Sequence, residues 1–126
     1  MKYFNTGPLP FYFAMAISEK EFDKGCRRLG IEKQIFATKD ACMHSFENKE
    51  TGGLVCVVCI DAEKAKERSA PQIAALLAHE ATHMWQAVCE NMGESAPGRE
   101  IEAYSIQWMT QVMLEHLEEA GAVNAN

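Results

Sequence analysis

The chain has 126 residues, 48% of them hydrophobic and 24% charged, with a formal net charge of −6. That length supports one domain around a single modest core and excludes a second lobe of similar size. The acidic balance excludes a general electrostatic footprint for DNA or RNA, and no stretch approaches the roughly 18–20 apolar residues of a membrane span.

Residues 11–17 form the first apolar run, and Ala14-x-Ala16 within it bears a faint likeness to a signal cleavage site. Pro8 and Pro10 interrupt the approach to it, leaving an uninterrupted run that is short for a signal core. The run therefore reads as a strand and the chain as cytoplasmic. Ser18, with Glu21 three residues on, forms a capping-box signature for a helix ending near Leu29, before Gly30. A strand is expected near residues 41–46 and a turn over residues 48–53. Leu54–Ile60 is the strongest strand signal in the chain, so the two strands form a hairpin.

Five cysteines in no disulfide-framework spacing fit a reducing compartment. Cys56 and Cys59 have the spacing of a metal or redox pair. They fall within the Leu54–Ile60 strand, where positions three apart face opposite ways, so they read as small buried hydrophobes. Lys64, Lys66 and Arg68 read as a solvated basic cluster.

Beyond Asp61 the pattern turns helical. Ser69 and Pro71 mark a helix start and Gly93 its end; Pro97 and Gly98 open a second helix reaching about Ala120. The expected fold is α+β, about three strands packed against about three helices, in a single domain over residues 1–126.

The first of the two C-terminal helices carries His79-Glu80-Ala81-Thr82-His83. Histidines four apart lie one turn apart on one helix face and converge on one ion. Glu80 is about 100° around the helix from His79, beside such an ion without ligating it, where it can accept a proton from water. It also falls inside the apolar arc of Leu77, Ala81, Met84, Trp85 and Val88, where an unpaired carboxylate is costly. Catalytic zinc takes three protein ligands plus water, so a third ligand is required.

Cys89 and Glu90 lie on the same helix, about two turns on, and cannot fold back to the ion. A metzincin pattern fails because Gln86 and Cys89 stand where glycine and histidine are needed. On the next helix Glu100, Gln107, Gln111 and Glu115 share a polar arc with Tyr104, whereas Glu102 falls on the apolar arc with Ile101, Trp108, Met109, Val112 and Met113. Glu102 is the expected third ligand. His116 shares that arc but lies roughly 21 Å further along the axis; it reads as a partly buried residue near the helix C-terminus, where positive charge is tolerated.

His79-Glu80-x-x-His83 followed by Glu102-Ala103 resembles the gluzincin group of zinc metallopeptidases, and the run from Pro97 to Tyr104 resembles small zincin-like proteins of bacterial and phage genomes, including the ImmA/IrrE type. The resemblance covers about residues 76–108. It implies one Zn2+ ion held by His79, His83 and Glu102, with Glu80 as general base in peptide hydrolysis. It also implies a peptide or protein substrate paired with a strand edge, either Leu54–Ile60 or its hairpin partner. Four residues after Glu102, where gluzincins commonly carry aspartate, stands Ile106, so support for His79 must come from elsewhere. His44, Tyr12, Tyr104 and Arg99 are candidate oxyanion stabilisers. Two other readings stay open: a non-catalytic metal-binding interaction protein, with a partner completing the cleft, and a metal-free helical core.

Overall fold

The structure, a computed structural model, describes residues 1–124. The chain is α+β. Its elements in order are β1 (Lys2–Phe4), β2 (Phe11–Ala16), α1 (Glu19–Arg28), β3 (Ala41–Glu47), β4 (Leu54–Ile60), α2 (Ala62–Ala65), α3 (Ala70–Met92) and α4 (Arg99–Glu119). Four strands and four helices replace the expected three of each. The additions are β1, three residues long, and α2, a single turn capped by the Asp61 carboxylate.

The strands form one mixed sheet in the order β1-β2-β4-β3. The expected hairpin is present, with β3 and β4 antiparallel from Ala41↔Ile60 to Glu47↔Leu54. On its other side β4 runs parallel to β2, from Phe11↔Leu54 to Ala16↔Cys59. β4 is therefore paired along both edges, and β3 presents the sheet's longer free edge.

Alternation along the strands sends side chains to two cores. Phe11, Phe13, Met15, Cys56, Val58 and Ile60 pack under α3 and α4, meeting Leu77, Met84, Val88, Met109 and Met113. Ala14, Ala16, Val57 and Cys59 face the other way, toward Phe22 and Cys26 of α1. Cys56 and Cys59 thus lie on opposite faces, as strand geometry requires. Burial pushes the Cys56 thiol up to about 12 and Cys59 higher still, so both stay protonated.

Local signals define the helix ends. Ser18 Oγ accepts from the Glu21 N–H at 3.2 Å, but the Glu21 carboxylate faces the Met1 α-amino group at 3.4 Å, so only half of the expected capping box forms. Ser69 makes the complete box with Gln72, and Gly93 ends α3 at φ 73°, a left-handed cap that suits glycine. Gly25 leaves room for the Met1 side chain, which would have to shift to admit a Cβ there.

Candidate metal centre

α3 is amphipathic, and its packing sorts the motif residues. Ile73, Leu77, Ala81, Met84, Trp85 and Val88 are buried against the sheet and α4, while His79 and His83 are exposed on the outer side. Their Nε2 atoms face each other at 3.1 Å, with the rings nearly perpendicular. His83 Nδ1 lies 3.2 Å from Gln86 Oε1. With the amide oxygen as acceptor, Nδ1 carries the proton and Nε2 presents a lone pair. His79 then donates its Nε2–H into that lone pair, and one proton lies between the two nitrogens.

That spacing fits a cation. At Zn–N distances of about 2.0–2.1 Å, two tetrahedral ligand nitrogens stand about 3.3 Å apart. A metal ion in place of the shared proton requires a tautomer change at His79 and rotation of both rings, so that the Nε2 lone pairs converge beside the N–N axis rather than along it.

Glu80 is 7% exposed, the one buried carboxylate of α3. It opens with His79 and Leu76 onto a groove of about 440 Å³ walled by the start of β3 at Ala41 and by Lys39, Asp40 and Arg68. Among the described residues Glu80 takes part in no ion pair. Burial first, and the Glu80 charge second, hold the nearby Cys42 thiol above its ordinary value.

Glu102 points inward from α4 and is half-buried, whereas Glu100 is exposed. Its Oε2 accepts a 2.9 Å hydrogen bond from the Trp85 indole N–H. Together they line a second groove, of about 500 Å³, between the C-terminal part of α3 and the start of α4. Among the described residues no three His, Cys, Asp or Glu side chains are grouped so as to hold one metal ion. The structure thus brings the two histidines together and keeps Glu102 with Trp85.

Two of these partners escaped the sequence reading. Trp85 carried a usable signal, since a buried indole N–H needs an acceptor; Gln86 stands three residues after His83, on the same helix face. The candidate oxyanion stabilisers fare poorly. His44 stacks on Phe22 of α1 at 5.0 Å, and Tyr12, 65% exposed, alternates with Phe11 and Phe13, so both lie on the face of the sheet away from α3. Tyr104 is exposed at 63%, and Arg99 is exposed at the start of α4. His116 is half-buried beside Phe4, and its Nδ1 is buried with no hydrogen-bond partner among the described residues. Desolvation is the largest cause lowering its pKa, so it favours the neutral form, and the expected tolerance of positive charge there does not hold.

Comparisons with models of protein families, with curated proteins and with solved structures gave no match to this chain. Among the described residues no helix is long and apolar enough to cross a membrane.

Proposed function

We propose that the chain is a zinc-dependent hydrolase acting on peptide bonds, a small gluzincin-like peptidase. The observation that carries this reading is the histidine pair, Nε2 to Nε2 at 3.1 Å on an exposed helix face, with buried Glu80 on the same turn at a groove. His79 and His83 would hold the ion, and Glu102 would supply the third ligand. Its Oε2 is engaged by Trp85, which leaves the other carboxylate oxygen available. When bound, zinc supplies Lewis acidity, activating water near neutral pH and polarising a carbonyl.

The other roles belong to the chain's own side chains. Glu80 accepts the proton of the attacking water on a carboxylate oxygen and returns it to the leaving amine. Ala41, Ala75 and Leu76 form the apolar part of the groove, whose remaining walls are polar or charged. Of the two strands considered for substrate pairing, β4 has no free edge, so the role passes to β3. Five free thiols suit a reducing, cytoplasmic setting.

Turnover of a mixed peptide pool by the zinc-loaded chain tests the assignment. Glu80→Gln is expected to retain the ion and to lose about 10²–10⁴-fold in rate. Equal turnover by the variant removes Glu80 as the base. The engagement of Glu102 by Trp85, apart from the histidines, favours a second reading: a metal-binding interaction protein that cuts nothing. A chain that binds one zinc and leaves every peptide intact supports that alternative.

A further inference from the structure

Along its length β3 lies beside α3 and runs in the same direction. Ala41 shares a groove with His79 and Glu80, and Ser45 and Glu47 share another, of about 460 Å³, with Ala87 and Glu90. The cleft therefore has two ends with the histidines between them, and its ends differ in charge. At the start of β3 stand Lys39 and Arg68 together with the carboxylates of Asp40 and Glu80, so the formal charges of that groove cancel. Arg68 is paired with Asp40, and Lys39 has no ion-pair partner among the described residues. At the far end stand Glu47 and Glu90, with Glu94 in the adjoining groove, and no lysine or arginine lines either of these grooves. The α3 dipole adds to the same polarity, positive at its N-terminus and negative at its C-terminus.

An extended chain joining the free edge of β3 pairs best antiparallel. Its N-terminal portion then lies by Glu47 and Glu90, and its C-terminal portion by Lys39 and Arg68. We propose that this cleft selects extended peptides that place basic residues on the N-terminal side of the bond at the histidines and keep acidic residues to its C-terminal side. The proposal rests on the peptidase reading for the cut bond, but the binding preference stands on charge and strand geometry alone. Glu90 is eleven residues beyond His79, about 16 Å along the helix, or about five extended peptide residues. Gln72, in the groove at the start of β3, is about 10 Å the other way, or about three residues.

The probes are two fluorescently labelled peptides of about nine residues with blocked ends and identical composition. One has paired lysines first and paired glutamates last; the other reverses them. Binding to the unmutated full chain, kept free of metal by a chelator so that no probe is consumed, is read by anisotropy. The lysine-first peptide is expected to bind about tenfold or more tightly, with the difference shrinking near 0.5 M salt. Exchanging the end charges, Lys39→Glu with Glu47→Lys, is expected to invert the preference; both positions are exposed, so the fold tolerates the change. Equal binding of the two peptides, tighter binding of the reversed one, or no binding of either overturns the proposal. Hydrolysis by the unmutated chain is scored separately. A retained preference without cleavage removes the peptidase reading and leaves this one standing.

Discussion

Glu80 and Glu102 both turn inward from helices whose other acids face solvent, and each is accommodated differently. Glu80 stays buried at a groove without an ion-pair partner among the described residues, whereas Glu102 takes the indole N–H of Trp85. Hydrogen bonds to charged groups contribute about 1.5–3 kcal/mol, less where water competes. Trp85→Phe removes the donor and leaves part of the indole's volume empty, so chemical denaturation should show a loss of about 2–4 kcal/mol with the far-UV circular dichroism of the fold retained. His116 gives a pH prediction. Its folded pKa lies below the unfolded value of 6.5, so the unfolded chain binds the extra proton first. The associated stability is present above pH 6.5 and is lost as pH falls from there through the folded value. His116→Leu should flatten the stability profile in that window; an unchanged slope would mean that another group causes it. Inward orientation of both glutamates was legible from helical periodicity. The Trp85 partner was not, because it depends on how two helices cross.

At the scale of elements, the ends of α3 were readable because their determinants are local. Ser69 and Gln72 satisfy each other's backbone neighbours, and Gly93 adopts the left-handed conformation that ends the helix. Ser69→Ala should cost about 1 kcal/mol and lower the melting temperature by roughly 3–6 °C. The strand reading of Cys56 and Cys59 carries its own check. With thiols on opposite faces, Cys56→Ala and Cys59→Ala should each leave the zinc content unchanged, and loss of metal in either would contradict the sheet geometry. β1 and α2 were not legible. Three residues and one turn carry too little periodicity, and β1 exists because Lys2, Tyr3 and Phe4 find Met15, Ala14 and Phe13 across the sheet. Half of the capping box at Ser18 was misread for a similar reason: the Met1 amino group competes for Glu21.

For the whole molecule, hydrophobic patterning predicted the layers of strand and helix but not their order in space. The parallel pairing of β2 with β4 joins segments about forty residues apart, and nothing local encodes it. That pairing makes β4 interior and leaves β3 as the edge beside the histidines. The convergence of His79 and His83 followed from helix geometry alone. The position of Glu102 depends on the α3–α4 packing, and there the sequence indicated direction without distance. The central claim is that these three side chains hold one zinc, and elemental analysis of the purified, zinc-equilibrated chain and its variants tests it most directly. One equivalent in the unmutated chain and in Glu100→Ala, with loss in His79→Ala, His83→Ala and Glu102→Ala, is the predicted result. Full zinc in Glu102→Ala, or none in the unmutated chain, would contradict it.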